Sequence, residues 1–145
     1  MRRQSLIGLG LIVGLSISNL SATITDDLPK QEDLIKRGRY LAMGVAMCVD
    51  CHTPKLSNGL LDPERILMGT EVTVAPLEPV ADWMDYAPAI AGLPTYSEEE
   101  VVEALTTGTV GDTYLRPPMP VYEMSKEDAE AIVAYLVSLQ PPDAP

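Results

Sequence analysis

Cys48-Val49-Asp50-Cys51-His52 holds every cysteine and the only histidine of a 145-residue chain. Two Cys and one His scattered at random would fall into this C-x-x-C-H order on the order of once in 10,000 chains of this length. The grouping therefore calls for a chemical reason. A thiol–disulfide exchange site would need a strand before the first Cys, in a βαβ unit, and the residues before Cys48 carry a helical pattern instead. A zinc site would need further Cys or His ligands, and none remain in the sequence.

The reading that uses all three side chains is covalent haem attachment, of which C-x-x-C-H is the signature. Two thiols three residues apart on a helical turn reach the two vinyl groups on one haem edge and form thioethers. The adjacent imidazole then ligates iron through Nε2. The composition agrees. Seven aromatic residues, one Trp and six Tyr with no Phe, are few for a compact core, and a bound macrocycle would supply flat apolar bulk. A single His also excludes bis-His haem, His-rich metal centres and H-E-x-x-H zinc sites.

Outward from the motif, the N-terminus reads as an address. Arg2 and Arg3 precede an apolar run, Leu6 to Ile17, followed by the small residues Ser18, Ser21 and Ala22. That is the layout of a secretory signal peptide, and it is short against the roughly 20 residues of a membrane span. The expectation is a signal peptide over residues 1–22, an uncleaved anchor being the alternative, and one domain over residues 23–145. Loss of Arg2 and Arg3 takes the formal charge from -11 to -13. Such an acidic domain lacks the clustered Lys and Arg that phosphate recognition needs, which excludes a nucleic-acid binder. The expected location is the periplasm, with attachment to the periplasmic face of the inner membrane if the leader is retained. Export leads to an oxidising compartment, where a disulfide would be usual; the Cys spacing argues for haem instead.

Three helices are predicted. The first covers Gln31 to Met47, with Leu34, Gly38, Leu41 and Val45 at helical spacing and Ile35, Ala42 and Ala46 widening the stripe. The second opens on the capping box Ser97-Glu98-Glu99-Glu100 and stops at Gly108. The third starts at Ser125 and carries Ile132, Val133, Tyr135, Leu136 and Leu139 before Pro141-Pro142; Pro141 to Pro145 reads as a loose tail. The acidic residues at the helix starts read as caps and dipole partners, not as catalytic acids. Gly38, in a helix interior, points to a close contact. The 44 residues between His52 and Ser97 hold six prolines, and only Glu71 to Val74 reads as a strand. So long an irregular stretch in a small domain is expected to wrap something.

With His52 spent, the second axial ligand would be a Met sulfur, which raises the potential. Met119, in Arg116-Pro117-Pro118-Met119-Pro120, has the strongest physical case, because flanking prolines stiffen a non-helical brace. Met84, Met124 and Met68 stay open.

These features together resemble the class I, single-haem cytochrome c family, and are similar to the cytochrome c domains that serve membrane-bound dehydrogenases. The likeness runs from about residue 31 to 140. It rests on Gly38-Arg39-Tyr40-Leu41 before the haem motif and Thr53; Ala87-Pro88 and Ala91-Gly92-Leu93; Tyr96 to Glu100; Thr107-Gly108; Pro118-Met119-Pro120 with Tyr122; and Ala134-Tyr135-Leu136. The resemblance implies an all-α cytochrome c fold, with crossed first and last helices around one covalent haem c and a long proline-rich loop after the motif. It implies Cys48 and Cys51 as thioether residues, with His52 and Met119 as iron ligands. Gly38 would admit Tyr135 or Leu136, with Tyr40 packed alongside. A proline carbonyl would accept from His52 Nδ1; Pro88 is the candidate, with Pro54, Pro63 and Pro76 open. Arg116, Tyr96, Tyr114 and Trp83 would bond or cover the haem propionates.

The function that follows is a periplasmic one-electron carrier between a dehydrogenase and a respiratory acceptor, not itself an enzyme. The alternatives are a haem subunit of an oxidoreductase complex, a peroxidase-like or ligand-sensing protein with a displaceable Met119, and a haem-free thiol oxidoreductase. The negative charge implies partners with a basic docking face.

Overall fold

The computed structural model describes residues 24–139. The leader, its alternative as an anchor and the proline tail lie outside these residues. No helix among the described residues is long and apolar enough to cross a membrane.

Among the described residues four α-helices form: α1, Ile24–Tyr40; α2, Cys48–His52; α3, Glu98–Thr107; and α4, Lys126–Ser138. Two antiparallel ladders accompany them. β1, Thr70–Glu71, pairs with β2, Tyr86–Ala87, with Thr70 opposite Ala87 and Glu71 opposite Tyr86. β3, Thr109–Val110, pairs with β4, Thr113–Tyr114. The fold is therefore mixed α and β, which corrects the all-α expectation. The physical reason is the length of the strands. A two-residue pairing is too short to leave an alternating pattern in sequence; it forms where the ends of a loop are brought together.

The first helix begins earlier than its apolar stripe and does not run straight to the motif. After Tyr40 the chain widens into a π-helical turn, Leu41–Val45, and Met47 then takes a left-handed conformation (φ 53°) before Cys48. A π turn inserts extra chain into the helical repeat. Leu41, Ala42 and Ala46 stay buried, whereas Val45, expected on the stripe, is rotated out and 53% exposed.

The second and third predicted helices form as their caps dictate. Ser97 Oγ accepts from Glu100 N and the Glu100 carboxylate accepts from Ser97 N, at 3.2 and 2.8 Å. That bond to the Ser97 backbone holds the Glu100 carboxyl below its ordinary value. The helix ends at Gly108. Ser125 Oγ accepts from Asp128 N in the same way.

The core lies where α1 and the π turn meet α4, with α3 packed beside α4. Leu41, Ala42, Leu105, Ile132, Tyr135 and Leu136 are its buried centre. Gly38 permits the approach: a Cβ there would fall on the carbonyl oxygen of Ala131 and lie 2.9 Å from Tyr135 Cβ. The expected contact with Tyr135 is present, but Tyr40 is 61% exposed and does not pack alongside. Arg37 adds an ion pair to Asp128 at 2.9 Å across the same two helices. Both side chains are partly solvated, so it contributes little.

Gly38→Ala should destabilise the protein by about 2–3 kcal/mol or more, since either helix must move to relieve backbone overlap. Gly44→Ala, where nothing lies within 4 Å of an added Cβ, should be neutral or slightly stabilising. Urea denaturation of the pair checks this.

Candidate functional site

The C-x-x-C-H residues form one short helix, launched by the left-handed turn at Met47. Cys48 and His52 are buried within it and Cys51 is exposed; both cysteines are free thiols. The imidazole is held from below. His52 Nδ1 donates to the carbonyl oxygen of Pro88 at 2.7 Å, so of the four candidate prolines it is Pro88 that orients the ring. A carbonyl can only accept, which places the proton on Nδ1 and leaves Nε2 as a free lone pair. Burial pushes the His52 pKa below its ordinary value, and the bond to Pro88 opposes this only in part. The ring is thus a neutral donor nitrogen.

Four further bonds tie the segment after the motif to the one that carries Pro88. Thr53, fully buried, accepts from Leu67 N through Oγ1 at 2.9 Å. Gly69 N donates to His52 O at 2.8 Å, and Leu67 O accepts from Ile90 N and Ala91 N. Gly69 itself has φ +79°, and a Cβ there would meet Ala89 N at 2.6 Å. The long proline-rich segment is therefore a clamp around His52, with β1 and β2 at its neck. Of the predicted strand Glu71 to Val74, only Glu71 lies in the ladder; Val72 N adds one bond to Asp85 O beyond it.

Above the motif lies a cavity of about 360 Å3. Cys48, Cys51, His52 and Met119 all line it, so the four expected site residues are brought to one place. A smaller cavity of about 290 Å3 shares these four and adds Met47, Asp50 and Tyr122. Among the alternative sulfurs, Met84 also lines the larger cavity, whereas Met68 and Met124 pack against the core. Met119 N bonds to Arg116 O in a turn, and Met84 N donates to Pro117 O at 2.7 Å, so the two thioethers are carried by adjoining segments. Arg116, Tyr96 and Tyr114 are in the wall; Trp83 is not.

Tyr122, which the sequence marked only through the resemblance, has a positioning part whose partner no sequence pattern indicated. Its hydroxyl donates to Ala46 O at 2.7 Å, fastening the segment that follows Met119 to the turn that precedes Cys48. Burial, then the two nearby thiol groups, pushes the Tyr122 phenol up to about 12. It is a fixed neutral donor.

The electrostatics weigh against Cys48 as an exchange thiol. Burial pushes the Cys48 thiol up to about 11, whereas a thiol–disulfide exchange site needs a lowered one. Among the described residues no group of three or more His, Cys, Asp and Glu could hold a metal ion, against the four ligands of structural zinc. The donor set is instead soft and arranged around apolar space: two thiols, one neutral imidazole nitrogen and two thioethers. Only Glu100 and Arg116 bring ordinary charge to the wall. Such a set fits the edge and iron of a haem.

Thr53→Val, which keeps the shape but orphans the buried Leu67 N–H, should destabilise the protein by about 1–3 kcal/mol, measured by thermal or urea unfolding. No family model matches the chain, and no curated protein matches it in sequence.

Proposed function

We propose that the protein is an exported one-electron carrier with a single haem c held by Cys48, Cys51, His52 and Met119. The observation that carries this reading is the convergence of those four side chains on one apolar cavity, with the His52 ring turned by Pro88 so that Nε2 is its free nitrogen. Bound there, the haem would supply an iron centre that changes oxidation state by one electron. Cys48 and Cys51 would hold it by thioether bonds. His52 Nε2 and the Met119 sulfur would be the side-chain atoms offered to its iron.

The remaining residues explain how such a centre would work as a carrier. With His52 and Met119 both offered to the iron, the protein would supply its ligands itself, which suits electron transfer better than chemistry on a small bound substrate. Pro88 holds the imidazole by its far nitrogen, and Tyr122 pins the Met119 segment by its hydroxyl. The His52 ring and the Met119 segment are thus each braced by a hydrogen bond, so little would need to move when charge changes. The largely apolar walls would limit the water around the centre and help set its potential. The partners on this reading are a dehydrogenase donor and an oxidase or second cytochrome as acceptor, met outside the cytoplasm.

Chain made in a host that attaches haem c should be red and heavier by one haem. Its colour should stay with the polypeptide through acid–acetone extraction. Cys48→Ala and Cys51→Ala should weaken that retention, and the double variant should abolish it. Colourless wild-type protein with the mass of bare polypeptide would remove the proposal.

Met119→Ala should lose the sulfur-to-iron absorption of the oxidised protein. Its potential should fall by on the order of 0.1–0.3 V, within the roughly 0.8 V range that axial ligation spans. Met84→Ala should keep the absorption. The reverse pattern would transfer the role to Met84. High-spin wild-type iron that binds carbon monoxide would point to an open-site haem protein.

A further inference from the structure

Between β1 and β2 the chain leaves the body of the protein as a loop, residues 73–84, closed at its neck by the bond from Val72 N to Asp85 O. Its tip is apolar and in solvent: Val74 is 58% exposed, Leu77 102% and Val80 43%. Large side chains so fully presented to water mark an interaction surface more often than an accident when they cluster. Leu77 stands in Pro76-Leu77-Glu78-Pro79. Prolines on both sides fix φ, so the tip is displayed with little conformational freedom left to lose on binding. The base of the same loop belongs to the site, because Val72, Met84 and Tyr86 line the larger cavity.

Charge says what the tip faces. From Ile66 to Leu115 there is no Lys or Arg, and nine carboxylates occur. Glu71, Glu78, Asp82 and Asp85 lie on the loop and its neck. Beyond Arg2 and Arg3, the cations sit elsewhere, four of the eight on α1: Lys30, Lys36, Arg37 and Arg39. An apolar tip inside a field of one sign suits a complementary apolar pocket with a basic rim. It does not suit an anionic lipid surface, which would repel it. Three exposed apolar side chains also make a small contact, the size class of brief electron-transfer encounters.

We propose that the 74–80 tip is the docking anchor of this protein. Leu77 seats in an apolar pocket of the redox partner, and Lys or Arg around that pocket meet Glu78, Asp82 and Asp85. The proposal rests on the reading of the cavity as an electron-transfer site. The tip gives the partner a hold beside that site without using any residue that lines it.

The test uses the haem-loaded full-length protein and respiratory membranes of the organism that makes it, fed with respiratory substrate, with haem reduction or oxidation followed by absorbance. Leu77→Ser should raise the half-saturating concentration about tenfold with an unchanged maximal rate and an unchanged spectrum. Wild-type half-saturation should rise with salt, and Glu78→Gln with Asp82→Asn should flatten that rise. Because Leu77 touches nothing in the fold, the variant should unfold like the wild type. Red protein with equal half-saturation in wild type and Leu77→Ser would overturn the docking proposal and leave the carrier reading standing. Colourless protein would remove both. Leu77-dependent binding to protein-free vesicles of the extracted lipids, or Leu77-dependent dimers in sedimentation, would reassign the tip to a membrane or to a second copy of the chain and so overturn it.

Discussion

The bond from His52 Nδ1 to the Pro88 carbonyl joins the two halves of the molecule that sequence alone keeps apart. Thirty-six positions separate the partners. One end is the only histidine, carried on a helix too short to be stable by itself. The other is a backbone oxygen in a segment with little regular structure. Once the bond is made, the ring has one orientation and one tautomer, and the segment has a reason to lie where it does. Gly69 N on His52 O and Leu67 N on Thr53 Oγ1 close the same clamp from the side. The clamp thereby pairs the Thr53 hydroxyl and backbone groups that burial would otherwise penalise.

The clamp depends in turn on the helices behind it. α1 reaches α4 closely because position 38 has no side chain. The π turn then changes the direction of the chain so that Cys48 starts a new helix instead of continuing the old one. Met47 and Leu67 both accept left-handed backbone geometry in that neighbourhood, the second while fully buried. Such conformations are unfavourable for residues with a Cβ and persist only where surrounding contacts over-determine them. Here they bracket the motif on both sides.

Burial also gives the site its chemical character. It keeps the imidazole neutral, raises the Cys48 thiol and leaves thioethers as the other donors. Each effect moves away from acid–base or thiol-exchange chemistry and towards soft coordination in an apolar setting. Apart from Glu100 and Arg116, charge lies outside the walls, where Glu71, Glu78, Asp82 and Asp85 are exposed and would act on a partner at longer range.

Much of this was legible residue by residue. Leu41, Ile132 and Leu136 announced the core by helical spacing, Ser97 and Ser125 announced their caps, and the crowding of both Cys and the lone His into five positions marked the candidate site. Those signals are local: they depend on side chains a few residues apart on one turn, which the chain itself brings together. What tertiary structure decided depends on distant segments meeting. It selected Pro88 from four prolines, left Met119 and Met84 at the cavity while sending Met68 and Met124 to the core, and turned Val45 outward through a π turn. It exposed Tyr40, linked Tyr122 to Ala46, and added two ladders that make the fold mixed rather than all-α. A two-residue strand or a single carbonyl acceptor leaves no periodic trace, because its position is set by closure of the whole loop and not by the residues within it.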